Sequence, residues 1–146
     1  MFKPIRNYME EHRTRKFMTR INVIPPNELS TKHLVAEYRE ITRLPGNLKL
    51  SLTRSSRPFS ISEIPAEYVL GTGHVKFFYD KMFYLQKRFE SLVEEMLSRG
   101  YNPKFTDSSI FIPENNEYYN DYIPTDSALK LNRERIYERT IKRNLS

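Results

Sequence analysis

The 146-residue chain contains no cysteine. Disulfide bonds and thiolate metal sites are therefore excluded, and the redox compartment is left open. Long apolar runs are also lacking, and none approaches the roughly 20 residues of a membrane span. The first seventeen residues hold no apolar h-region, so they do not read as a signal peptide. A soluble, cytoplasmic protein is the expectation. Glycine is scarce, at four residues. Two of these fall in LGTGHV (70–75), but the Lys-Ser/Thr pair and the wider glycine spacing of a P-loop are missing. A tight turn into a helix is the expected role, with a phosphate contact at the helix start as the alternative. Internal repeats and low-complexity tracts are absent.

What remains is a folding chain. Its 38% hydrophobic and 13% aromatic content is too high for a disordered segment, and its length suits one domain. Net charge is +6. Residues 1–18 hold five Lys/Arg against two Glu, and the other 128 hold nineteen against sixteen, so each part carries +3. Positive excess attracts polyanions, nucleic acid foremost, although charge alone does not separate that from a solvated basic surface.

Three segments read as helix. The clearest is 74–99, with apolar residues at Phe78, Met82, Leu85, Phe89, Leu92 and Met96 and Gly100 as a stop. Its aromatics are assigned to core. A second runs from about Ser30 to Leu44, capped by Ser30 or Asn27, with Leu34, Tyr38 and Ile41 inward and Pro45-Gly46 ending or kinking it. A third spans about 126–143, capped by Thr125 or Asp126, with a weaker stripe through Leu129 and Ile136. The connections 47–72 and 101–125 are long, and loops of that length often line a binding surface. Tyr101, Phe105, Tyr118, Tyr119 and Tyr122 are expected to pack the second loop onto the helices, with base stacking as the lesser role.

Chemistry has few places to sit. On the 30–44 helix, Lys32, Arg39 and Arg43 share one side, and His33, Glu37 and Glu40 form the adjoining strip. That pattern could hold a phosphate backbone beside an acid/base group. Spacing alone favours an ordinary face with weak i,i+4 ion pairs. As a metal site the strip is thin, and no metal is expected. On the third helix, Arg135, Arg139, Lys142 and Arg143 make a continuous basic stripe. It either offsets Glu134 and Glu138 or lies along an anionic partner, and mutual repulsion favours the partner.

Taken together, five motifs point further. Met18-Thr19-Arg20-Ile21-Asn22, KHLVAEYRE (32–40), LGTGHVKFFYDK (70–81), RGY (99–101) and DYIP (121–124) occur in this order. The chain so read closely resembles the pyrimidine-dimer DNA glycosylases of T-even-like bacteriophages and some large viruses, the endonuclease V type, over about residues 18–143. The resemblance implies an all-α, compact three-helix domain with long loops. It implies a glycosylase and abasic-site lyase acting, by base extrusion, on double-stranded DNA with UV damage, with no metal or organic cofactor. A monomer without membrane association is expected. The nucleophile in that family is the α-amino group of a threonine exposed by removal of the initiator Met. Thr19 matches that position and Glu40 matches the catalytic carboxylate. Arg20, Arg39 and Arg43 match phosphate-gripping arginines, and His33 matches a histidine near the reaction centre. Arg135 and Arg139 match basic positions on the third helix, although Arg139 stands where a lysine is familiar. Lys32 joins the DNA-binding set by its place on the basic edge.

Two departures stand out. The family's best-known members end in a tail rich in Trp and Tyr, whereas this chain has no Trp and runs to Ser146 through TIKRNLS. Lesion recognition is expected to be weaker or different, and other damaged bases are an alternative substrate. Thr19, moreover, is preceded by eighteen residues, so its nitrogen is an amide, which cannot form an imine. Three explanations compete. Translation starts at Met18, a protease exposes Thr19, or the extension 1–17 is retained and the protein is a non-catalytic binder of duplex or damaged DNA. The organisation expected is an extension of 1–17, absent or removed in the active form, and a single domain of 18–146.

Overall fold

The structure, a computed structural model, describes residues 21–54 and 56–145, without the side chains of 141–145. Thr19, Arg20 and the extension 1–17 lie outside the described residues. Within them every regular element is helical, so the domain is all-α: α1 (Thr31–Ile41), α2 (Leu44–Leu52), α3 (His74–Phe77), α4 (Met82–Ser98) and α5 (Asp126–Leu145), with one short 3-10 turn before α1 and three between the helices. No helix among the described residues is long and apolar enough to cross a membrane.

Ser30 caps α1, its side chain accepting the His33 amide. Leu34 and Ile41 are buried as the spacing predicts, with buried Glu37 between them. Pro45 does not simply end this helix. The chain turns at residues 42–43 and restarts as α2 with Pro45 in its first turn, where a missing N–H removes no hydrogen bond. Leu44 and Leu48 are buried, so the first part of the expected 47–72 loop is helix.

The expected helix 74–99 is broken. α3 is a single turn, 78–81 leave helical geometry, and α4 begins at Met82. Phe77, Phe78 and Tyr79 are consecutive and all buried. In a continuous helix they would fan across about 200° at 100° per residue, too wide for one face. Unwinding lets all three face the core. The gap is then filled from the 118–120 segment. Lys81 bridges Tyr119, the Asn120 amide donates to the Asp80 carbonyl at 3.3 Å, and the Tyr84 amide donates to the Asn120 carbonyl at 3.2 Å.

The predicted apolar positions from Phe78 through Met96 are all buried, Phe78 in the break and the other five on α4. This helix is the centre of the molecule and packs against α1 and the 3-10 turn Ser108–Phe111. Most of the loop aromatics pack as expected. Tyr118 is buried, Tyr119 lies on Phe83, Tyr122 meets Phe77 and Tyr84 edge-on, and Phe105 touches Phe89. Tyr101 stays exposed. Thr125 caps α5, accepting from the Ala128 amide at 3.1 Å. The inward face of α5 is Ala128 and Asn132, with Leu129 and Ile136 only partly buried.

Candidate active site

Residues 21–24 form no helix or sheet, yet all four are buried. An extended segment in a core must find partners for its amides and carbonyls, and here side chains from every part of the domain provide them. The Ile21 amide donates to His74 Nε2 at 2.8 Å. That nitrogen therefore carries no proton, and Nδ1 donates to the Val69 carbonyl at 2.7 Å. The Tyr68 hydroxyl donates to the Ile21 carbonyl at 3.1 Å. Asn132 Oδ1 accepts both the Val23 amide (2.7 Å) and the Ile24 amide (3.2 Å). Asn132 Nδ2 donates to Asn22 Oδ1 at 2.7 Å, and Asn22 Nδ2 donates in turn to Glu37 Oε1 at 2.8 Å.

Glu37 closes this network. Its side chain is 0% exposed and faces Arg88, itself 5% exposed. Arg88 donates through Nε at 2.8 Å and Nη2 at 2.9 Å, and its Nη1 donates to the Ile24 carbonyl. Burial opposes the guanidinium charge, but the adjacent carboxylate outweighs it, and the Arg88 pKa is raised. Glu37 is thus a structural ion-pair partner and not part of a solvated acid/base strip. Its two oxygens are already occupied, which removes it from the metal-ligand set considered with His33 and Glu40. Among the described residues no three His, Cys, Asp or Glu converge as metal ligands.

Glu40 sits one turn further along α1, partly exposed, with both oxygens within 3.3 Å of Arg43 Nη1. Arg43 is largely exposed, its side chain at 63%. Lys32 and Arg39 are exposed and have no ion-pair partner among the described residues. His33 is half-buried, its Nδ1 3.0 Å from the Ser30 hydroxyl. Lys32, His33, Arg39 and Glu40 lie on α1, but the helix ends at Ile41 and Arg43 stands in the turn before α2. On α5, Arg135 and Arg139 are partly buried. Arg135 Nη1 lies 4.0 Å from Glu138, and its Nε is buried without a hydrogen-bond partner. The side chains of Lys142 and Arg143 fall outside the described part. Thr19 and Arg20 do so entirely, so their geometry relative to Glu40 is not described.

The residues that sequence reasoning missed are the clamps: Asn22, Tyr68, His74, Arg88 and Asn132. Two left a signal. Arg88 follows Leu85 by three on the core face of α4, and Asn132 lies between Ala128 and Ile136 on α5. A polar residue at an inward position usually has a buried partner. Residues 18–109, well over half the chain, match a known family. That stretch includes Thr19, Arg20, Lys32, His33, Arg39, Glu40 and Arg43, whereas Arg135 and Arg139 lie beyond it. The chain belongs to the family of pyrimidine dimer DNA glycosylases.

Proposed function

We propose that this glycosylase also cleaves the abasic site it creates, with the α-amino group of Thr19 as nucleophile and Glu40 as base. The clamp on residues 21–24 carries the reading. Four elements and a loop converge on an irregular segment directly after Thr19, which suits a chain end that must be held still. Two residues of chain span at most about 7.6 Å between Cα atoms, so Thr19 acts close to Ile21. Direction supports Glu40 as its neighbour. The segment leads through Pro26 and Leu29 to the start of α1, while Asn22 already reaches Glu37, two turns along that helix. Asn22, three residues after Thr19, is thus held by Glu37, one turn before Glu40 on the same helix.

The chemistry follows from an amine. An α-amino group has a pKa of roughly 7.7–8.0, so a useful neutral fraction exists near neutrality. Its nitrogen attacks C1′ of the extruded nucleotide, the glycosidic bond breaks, and the electron pair leaves with the base. Loss of an amine proton and opening of the C1′–O4′ bond give a protonated imine. That imine acidifies C2′. The Glu40 carboxylate takes the C2′ proton, and the C3′–O bond breaks with the 3′ phosphate as leaving group. Water then hydrolyses the imine and frees the amine. Arg20, Lys32, Arg39 and Arg43 hold phosphates on the α1 side, with Arg135 and Arg139 adding charge from α5.

A mid-chain Thr19 has an amide nitrogen and cannot do this. The active form therefore begins at Thr19, and the family match beginning at Met18 supports an origin by Met removal. Protein beginning at Thr19 should form a borohydride-trapped adduct with abasic DNA, and intact 1–146 should not. An equal adduct from 1–146, shown intact by mass, would assign the nucleophile to a lysine instead.

A further inference from the structure

We propose that the cleft between the C-terminus of α2 and α3 is a second phosphate site, one that holds a backbone phosphate of the duplex a few nucleotides from the lesion. The cleft is lined by Ser51, Arg54, Arg57, Phe59, Glu63 and Lys76, has a volume of about 100 Å³ and is open to solvent. Three cations face one carboxylate there, a local excess of +2.

The carboxylate is fixed. Glu63 Oε2 accepts the Ser60 amide at 2.8 Å, closing a capping box on the turn Ile61–Glu63. That bond, followed by the nearby cations, lowers the Glu63 pKa and keeps it charged. Its Oε1 lies 3.7 Å from both Arg57 Nη2 and Lys76 Nζ. Both distances exceed the 2.7–3.2 Å of a well-formed hydrogen bond. Two cations thus lean on a single oxygen without bonding it closely, and their side chains remain 83% and 49% exposed. A phosphate entering between them would accept from the Arg57 fork and the Lys76 ammonium together.

The frame is built rather than accidental. The Phe59 amide donates to the Ser51 carbonyl at 2.9 Å, tying the loop to the end of α2. Phe59 is buried and meets Tyr79 edge-on, which gives the cleft a rigid floor. On the other wall, Arg54 lies near enough to Tyr79 to act on its hydroxyl electrostatically.

Position argues for duplex over a free anion. α2 runs from beside Arg43 to Ser51, a helix of about 13 Å at 1.5 Å per residue. DNA rises about 3.4 Å per nucleotide along one strand. The cleft therefore sits roughly four nucleotides from a phosphate held at Arg43, with exposed Lys49 between them. The inference rests on DNA as the partner. It does not depend on Thr19 chemistry.

Binding of undamaged duplex across a salt series tests it, using full-length chain, the double variant Arg57→Ala/Lys76→Ala, and Glu63→Gln. The double variant should lose about one unit of the log–log salt slope and bind several-fold more weakly at moderate salt, with unchanged thermal stability. Glu63→Gln keeps an oxygen for the Ser60 amide and removes the competing charge. It should bind several-fold more tightly, a direction that mere structural damage does not give. An unchanged slope in the double variant beside a steep wild-type slope overturns the cleft but leaves DNA binding intact. A wild-type slope near zero overturns both. Inorganic phosphate is the second arm, followed through the ring resonances of Phe59 and Tyr79. If phosphate shifts them while the duplex slope ignores the double substitution, the site takes free phosphate and the DNA assignment fails.

Discussion

Replacing Glu37 by glutamine should damage the fold, while replacing Glu40 by glutamine should damage only the chemistry. Glu37 is fully buried and accepts three hydrogen bonds, two from Arg88 and one from Asn22. Glutamine halves the acceptor capacity, turns an amide NH2 toward the guanidinium, and leaves the Arg88 charge uncompensated. Breaking a buried pair from one side costs about 3–5 kcal/mol, against a total stability of roughly 5–15 kcal/mol. At about 2–4 °C per kcal/mol for a domain of this size, Tm should fall by roughly 6–20 °C. Glu40 is partly exposed and pairs with exposed Arg43, so Glu40→Gln should cost less than about 1 kcal/mol. Its strand cleavage should nevertheless be lost, because an amide does not accept the C2′ proton.

The assay is thermal and urea unfolding by circular dichroism, with strand cleavage measured on the folded protein at low temperature. A double replacement, Glu37→Leu with Arg88→Met, sharpens it. Removing both charges should recover part of the loss, since an apolar pair of similar volume avoids the desolvation of two ions. Recovery should be incomplete, because the Ile24 carbonyl and the Asn22 amide each lose a buried partner at about 1–3 kcal/mol. A Tm for Glu37→Gln within 2 °C of wild type, roughly a 1 kcal/mol effect, would refute the clamp. So would a double variant whose loss equals the sum of the singles, since that means no coupling.

Asn132→Ala strands two buried amides and should cost at least about 2 kcal/mol, with hydrogen exchange at Val23 and Ile24 accelerating more than at the α4 core. His74→Phe keeps ring contacts with Tyr68 and Phe78 but removes the acceptor for the Ile21 amide. Adduct trapping by the Thr19-initiated protein should slow about 10–100-fold, with affinity for undamaged duplex unchanged. Glu28 binds Arg133 through two hydrogen bonds of 2.9 Å, and the bond to Arg133 lowers its pKa. A depressed carboxylate stabilises the fold above its unfolded pKa and loses that contribution as pH falls through the folded one. Wild type should therefore be slightly more stable than Arg133→Ala at pH 6, and the gap should close in acid below the ordinary glutamate range. Arg39→Ala and Arg43→Ala should each lower the salt slope on undamaged duplex by about one unit.

Periodicity made the core of α4 legible because burial there repeats with the helix. The unwinding at 78–81 was not legible. It depends on three adjacent aromatics all finding core and on a loop forty residues away supplying hydrogen bonds to the gap. Pro45-Gly46 reads as an end or a kink of the first helix, yet proline is equally at home in a first helical turn. Only the packing of Leu44 and Leu48 decides between them. On α1, sequence placed Glu37 and Glu40 on one strip, as the helix does, but could not rank them. What separates them is Arg88, fifty-one residues away in sequence. The α5 stripe was read through Leu129 and Ile136, while the contact that matters there is Asn132, which looks like a flaw in an apolar pattern until Val23 and Ile24 are seen beside it.

A terminal amine and an ordered nucleophile are opposing requirements. Chain ends are where order is normally lost, and holding each backbone residue costs roughly 1–2 kcal/mol of entropy. A helix would order a terminus through its own ladder, but its first four amides would then lack partners. It would also direct the terminus along the helix axis. The segment at 21–24 avoids both. Burial of Ile21, Val23 and Ile24 contributes about 1.5–3 kcal/mol per side chain, enough to offset the ordering. His74 of α3 and Asn132 of α5 then accept from the amides of Ile21, Val23 and Ile24, while Glu37 of α1 holds the Asn22 side chain and Arg88 of α4 the Ile24 carbonyl. One of these contacts, from Asn22 to Glu37, ties the segment to α1 one turn before Glu40. The cations proposed to grip DNA at Lys32, Arg39 and Arg43 lie outside this network. On the proposed reading, binding and nucleophile placement rest on different residues, and each should be open to perturbation without the other.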